Sequence, residues 1–165
     1  MKIDEFIDGF EKARDKDNFV KGVIVKNYLN YENKIAICQS IINQSMYRKV
    51  NNKKMFVIDS PKRWMFFVFS IVSSYTSIEV PEDGMERMKL FNQLQKYNVM
   101  ANISNVLARE YQEFATLLNT MVEDEIRNND LKAMLETKIE AISMVASRIP
   151  WERLMSKNEN PVEGK

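Results

Sequence analysis

Residues 60–75 read SPKRWMFFVFSIVSSY, and from Trp64 to Val72 only Ser70 interrupts an apolar run of nine. A membrane-spanning helix needs about 20 apolar residues, so this run is too short to span a bilayer. Phe, Val and Ile favour strands, but Ser60-Pro61 is a helix start. Ser is a good N-cap, and Pro costs nothing in the first turn, where the N–H has no intrahelical partner. Helical spacing puts Trp64, Phe67, Val68, Ile71, Val72 and Tyr75 on one face, widened by Met65 and Phe69. Arg63, Phe66, Ser70, Ser74 and Ser77 form a second stripe of mainly small residues. A helix apolar over most of its circumference must be covered on most sides. The chain is therefore expected to wrap around a central helix over 61–77, with a second subunit as an alternative cover for part of it.

Helical periodicity recurs on both sides of this rod. Ile3, Phe6, Ile7, Phe10 and Ala13 predict a first helix over 3–14, and Phe19, Val20, Val23 and Ile24 a short second one capped by Asp17 or Asn18. Ile35, Cys38, Ile41 and Ile42 predict a helix over 32–45. Two β-prone runs, 46–50 and 54–58, flank Asn51-Asn52-Lys53, a plausible hairpin turn because Asn tolerates left-handed backbone. Met85, Met88, Phe91 and Leu94 mark a helix to about Tyr97, followed by a short helical turn over 99–107. Leu107 to Val122 marks a long helix ending near Arg127, Asn128-Asn129-Asp130 reads as a stop, and Leu131, Met134, Leu135, Ile139, Ile142, Val145, Ala146 and Ile149 mark the last helix. Three connecting residues would fold these two helices back as an antiparallel pair. The expectation is a mostly α, compact multi-helix bundle around 61–77, with one small hairpin at about 46–58 and a C-terminal antiparallel helix pair. One helical domain is expected over 1–155, extended one turn past Pro150 by Trp151, Leu154 and Met155, with a disordered polar tail over 156–165.

The chemistry-bearing residues are few. With no His among 165 residues, the commonest general base and transition-metal ligand is missing. Four scattered glycines cannot build a phosphate-binding loop. The single Cys38 lies on the apolar face of its helix and is expected to be inert packing; a lone thiol also suits a reducing compartment. Glu123-Asp124-Glu125 point about 100° apart on a helix and do not converge on a metal. The methionines, including Met85, Met88, Met121, Met134 and Met144, are expected to fill the core, with an adaptable binding groove as the alternative. No catalytic, cofactor-binding or metal-ligating residue is expected, and no cofactor. The N-terminal MKIDEFIDGF lacks the continuous apolar segment of a signal peptide, so signal-directed secretion is not expected.

Net charge is +1, but residues 1–78 carry 13 Lys/Arg against 8 Asp/Glu and residues 79–140 carry 7 against 12. Such a split suits a protein that stacks on copies of itself or bridges unlike partners. The most basic segment, YRKVNNKKMFVIDSPKRW (47–64), holds Arg48, Lys49, Lys53, Lys54, Lys62 and Arg63 against Asp59 alone. These six are the candidate partner-binding residues. An acidic protein surface, such as the acidic segment of a second copy, is one partner. Nucleic acid is another, by backbone contacts only, since nothing here reads bases. Lysines that guard hairpin edges against strand pairing are the simplest alternative.

Three patches carry a resemblance: YENKIAICQSII (31–42), MYRKVNNKKMFVIDSPKRWMFF (46–67) and YTSIEV (75–80). In this order they resemble a group of small helical proteins of tailed bacteriophages of Gram-positive hosts, encoded near virion structural genes. The resemblance covers about residues 1–80. It implies a non-enzymatic phage structural or assembly protein at the head–tail junction or in tail assembly. It further implies other phage structural proteins as partners, a homo-oligomer as an option, no membrane, and a location in the host cytoplasm or virion. The alternative is a nucleic-acid backbone binder using the basic hairpin 47–63.

Overall fold

The computed structural model describes residues 1–148, with side chains described through residue 144. Helices α1 (Ile3–Lys12), α2 (Lys16–Val23) and α3 (Tyr31–Ser45) precede strands β1 (Tyr47–Val50) and β2 (Lys53–Phe56). Helices α4 (Ser60–Tyr75), α5 (Gly84–Lys96), α6 (Val99–Leu107) and α7 (Arg109–Arg148) follow. Among the described residues the protein is mostly helical with one small antiparallel hairpin, and no helix is long and apolar enough to cross a membrane. Packing divides the chain after Glu123: Met1–Glu123 is one compact unit and the chain from Asp124 a second. The expected domain end at 155, the turn at Trp151, Leu154 and Met155, and the 156–165 tail lie outside the described residues.

The rod α4 is the centre of the first unit. Phe67, Val68, Phe69, Ile71, Val72 and Tyr75 are buried. Phe67 meets Tyr111 and Phe114 edge-on at 5.6 and 5.7 Å, and Phe69 meets Phe91 at 6.1 Å, geometries that favour ring edges against ring faces. Trp64, expected on the core face, is instead 42% exposed: its ring tilts against Phe67 at 5.8 Å and lines an open groove with Ala115, Leu118 and Asn119 of α7. The N-cap is Asp59, not Ser60: its Oδ1 accepts from the Lys62 N–H at 3.0 Å, and Pro61 follows in the first turn. The helix stops two residues earlier than expected. The Thr76 hydroxyl donates to the Val72 carbonyl at 2.8 Å and accepts from the Ile78 N–H at 3.1 Å, turning the chain out of the helix.

Elsewhere, periodicity places the elements while the caps shift. Asp15, not Asp17 or Asn18, caps α2 by accepting from the Asn18 N–H at 2.9 Å. Asp17 instead accepts from Asn102 Nδ2 at 2.7 Å and ties α2 to α6. Phe6, Phe10 and Phe19 form one aromatic cluster with centroids 5.5–6.2 Å apart. A Cβ at Gly9 would lie 2.7 Å from the Phe19 ring, so a hydrogen there lets α1 and α2 pack closely. In α5, Leu90 and Leu94 are buried. Met85 is 83% exposed, and Met88, Met134 and Met144 are exposed as well, so these four do not fill the core as expected. The hairpin turn is two residues, Asn51 and Asn52, at φ 48° and 60°. Lys53 therefore starts β2 rather than completing the loop, as a two-residue turn with both residues left-handed matches the strand twist.

The expected C-terminal antiparallel pair is absent. Arg109–Arg148 is one helix of 40 residues that passes through Asn128-Asn129-Asp130 without a break. Asn and Asp cost at most about 0.7 kcal/mol each in a helix interior, far less than Pro. Asn129 Nδ2 also donates to the Glu125 carbonyl at 2.8 Å, keeping its side chain within the helix.

Candidate functional site

The hairpin does not gather its charges into one patch. Tyr47 pairs with Phe56, Arg48 with Met55, Lys49 with Lys54 and Val50 with Lys53. Alternation along each strand puts Lys49 and Lys54 on one face with Tyr47 and Phe56, and Arg48 and Lys53 on the other with Val50 and Met55. Lys54 is occupied: its ammonium lies 3.8 Å from the centroid of the Tyr47 ring and donates to Asn43 Oδ1 at 3.0 Å. Lys62 sits over the Phe66 ring at 5.6 Å. Arg63 Nη2 donates to Ser60 Oγ at 3.3 Å, while its Nη1 is buried without a hydrogen-bond partner. The six basic residues thus fall into two hairpin faces and the first turn of α4. The exposed Val50 and Met55 make the Arg48–Lys53 face a mixed basic and apolar surface.

A second polar constellation is internal, and sequence reasoning did not single it out. Glu110, 8% exposed, sits in the first turn of α7. Its Oε1 accepts from Tyr75 Oη at 2.7 Å and from the Leu29 N–H at 2.9 Å, and its Oε2 accepts from Lys34 Nζ at 2.9 Å. Lys34, 4% exposed, also lies 3.7 Å from Glu113 and 5.3 Å from the Tyr28 ring centroid. One carboxylate therefore joins α3, α4, α7 and the segment between α2 and α3. Burial pushes the Glu110 carboxyl upward, but the hydrogen bonds from Lys34, Tyr75 and Leu29 outweigh it and hold the group below the usual carboxylate range. The Tyr75 phenol is raised by burial and by the adjacent Glu110 carboxylate. Burial also pushes the Cys38 thiol up to about 11, so it stays protonated at neutral pH.

A signal for this cluster is present in the sequence. Lys34 lies four residues before Cys38, and Glu110 lies three after Leu107 and four before Phe114. Both are charged residues of opposite sign on apolar helix faces. A groove of about 620 Å³ opens beside the pair, lined by Tyr31, Lys34, Arg109, Gln112, Glu113, Thr116, Leu117 and Thr120. Its charged groups are matched internally, with Arg109 Nε donating to Glu113 Oε1 at 2.6 Å. Among the described residues no three carboxylate or thiol groups converge as a metal site requires.

The third feature is on the second unit. Leu131 (52% exposed), Leu135 (49%), Ile139 (62%) and Ile142 (68%) succeed each other at steps of four, four and three residues, so they share one face of α7 and all meet solvent. No protein-family model, no curated protein and no solved structure matches this chain.

Proposed function

We propose that this is a non-enzymatic structural or assembly protein of a tailed bacteriophage, acting through protein–protein contacts at the head–tail junction or in tail assembly. The carrying observation is the bare apolar face at Leu131–Ile142. Contiguous apolar surface of this kind on a folded protein marks an interaction surface. The resemblance over residues 1–80 supports the phage assignment. The buried ionisable groups support a non-catalytic role, since Lys34, Glu110 and Tyr75 satisfy one another within the fold. This reading fits better than a nucleic-acid backbone role. Basic residues split between two hairpin faces, with Lys54 already bonded, would follow a phosphate chain poorly.

The test is a null allele in a phage that encodes this chain, with electron microscopy and mass spectrometry of the particles. Incomplete heads or tails, restored by the gene supplied in trans, are expected. Complete particles in normal yield without the protein would overturn the proposal.

A further inference from the structure

Within the first unit, a groove of about 230 Å³ lies between α4 and α7. One side of it is aromatic: Trp64 tilts against Phe67 at 5.8 Å, and Phe67 meets Tyr111 edge-on at 5.6 Å. The same groove is lined by three polar side chains whose bonding capacity the fold leaves unused. Arg63 forms no ion pair among the described residues. Its guanidinium makes one side-chain hydrogen bond there, from Nη2 to Ser60 Oγ at 3.3 Å, and Nη1 is buried without an acceptor. The Tyr111 hydroxyl and the Asn119 amide make no side-chain hydrogen bond among the described residues. None of the residues lining the groove is acidic.

A buried guanidinium N–H without an acceptor is costly, and an acceptor that enters the groove removes that cost. Unused donors around one cation, beside aromatic rings, complement a single negative charge carried on a flat apolar body. A carboxylate matches one guanidinium in charge and in its two-pronged geometry. The space is below the range of about 300–1,000 Å³ typical of larger ligands, so it suits one ring and its carboxyl group. We infer that the α4–α7 groove binds a small aromatic carboxylate, held by Arg63, Tyr111 and Asn119 at the carboxyl group and by the Trp64 and Tyr111 rings at the aromatic group. To present Nη1, the guanidinium leaves Ser60 Oγ, giving up a bond longer than the usual N–H···O range. A free aromatic acid and a protein chain ending in an aromatic residue both carry this chemistry. The inference goes beyond the proposed function and does not rest on it.

The emission of Trp64 tests it, read in the full chain with Trp151→Phe, which leaves Trp64 the sole tryptophan. Calorimetry on the wild-type chain gives the same reading without that substitution. Phenylacetate at low salt should bind saturably, in the millimolar range or tighter. Phenylethylamine, with the opposite charge beside the same ring, should not bind, and acetate should bind at least tenfold more weakly than phenylacetate. Arg63→Gln should weaken phenylacetate binding at least tenfold, and Tyr111→Phe, which keeps the ring, about fivefold. The far-UV circular dichroism of both variants should be unchanged. N-acetylphenylalanine separates the two sources: tighter binding than phenylacetate assigns the groove to a protein chain end, and weaker binding to a free acid. No saturable binding of either acid, an equal response to phenylethylamine, acetate binding as tightly as phenylacetate, or full affinity in Arg63→Gln would overturn the inference. None of these outcomes bears on whether particles form without the protein.

Discussion

In the unit formed by Met1–Glu123, charge is inside: Lys34 and Glu110 are buried among Phe114, Tyr75 and Cys38. From Asp124 to residue 144 the order is reversed, with no charged side chain buried and Leu131, Leu135, Ile139 and Ile142 facing solvent. Both arrangements occur along one helix, α7, whose Phe114, Leu118 and Val122 are buried. The contrast separates two things that amphipathic periodicity conflates. A helix forms because its residues tolerate helical backbone; its apolar face is buried only where other elements cover it. In the first unit that cover is dense enough to enclose an ion pair, which is tolerable because each partner keeps hydrogen bonds in place of water.

The largest effect should come from breaking the enclosed pair. Glu110→Ala leaves the Lys34 ammonium buried without its main counter-charge and the Leu29 N–H and Tyr75 hydroxyl without an acceptor. A loss of about 3–5 kcal/mol is expected in urea unfolding. A change under about 1 kcal/mol would mean that water reaches this cluster, and the contrast between the two regions would collapse. Phe114→Ala removes a fully buried ring that meets Phe67 at 5.7 Å and Tyr75 at 6.4 Å, and should cost a similar amount, about 3–5 kcal/mol. The matched change on the second unit, Ile142→Ala, should alter stability by no more than about 0.5 kcal/mol, because Ile142 is exposed.

The pH dependence sharpens the same comparison. Glu110 is held below its ordinary range, so its contribution is present above the unfolded value of about 4.3 and is lost as pH falls through the lower folded value. Glu110→Gln should flatten that acid limb of the urea midpoint. Cys38 moves the other way, from 9.0 to about 11, so stability is level below 9 and falls as pH rises toward 11. The raised Tyr75 phenol adds to this alkaline loss above about pH 10, and Cys38→Ala should remove only the thiol's part of it. The smallest effect is expected at the hairpin. Replacing Arg48, Lys49, Lys53 and Lys54 together by Gln should change stability little, since surface substitutions lie within about 0.5 kcal/mol each. It should also leave wild-type and variant chains alike in showing no salt-steep DNA affinity, read by fluorescence anisotropy at low salt; steep affinity lost in the variant would revive the nucleic-acid alternative.

Much of the fold was legible in residue spacing. The positions of α1, α3, α4 and the hairpin follow from apolar period and turn chemistry, because each depends on neighbours within a few residues. What failed were features decided at a distance. Asp15 rather than Asp17 caps α2 because Asp17 is drawn to Asn102 of α6, 85 residues away. Trp64, Met85 and Met88 have apolar-face spacing yet stay exposed, Trp64 covered on one side only, since burial depends on which other elements reach each position. The basic hairpin stood out in sequence as a dense charge run, but alternation on a two-stranded sheet divides such a run between opposite faces. The Glu110 cluster was missed because its members are 29, 34, 75 and 110 in the chain, and only packing brings them within 3 Å.

The sequence by itself determined where helices and the hairpin form and which residue types could do chemistry, because backbone preference and side-chain periodicity are local properties of the chain. Tertiary structure alone decided which charges are buried together and which apolar stripe is left in water. Desolvation and cover depend on what arrives from elsewhere in the chain: a charge on an apolar helix face, as at Lys34 and Glu110, marks a candidate for burial but not the partner it meets.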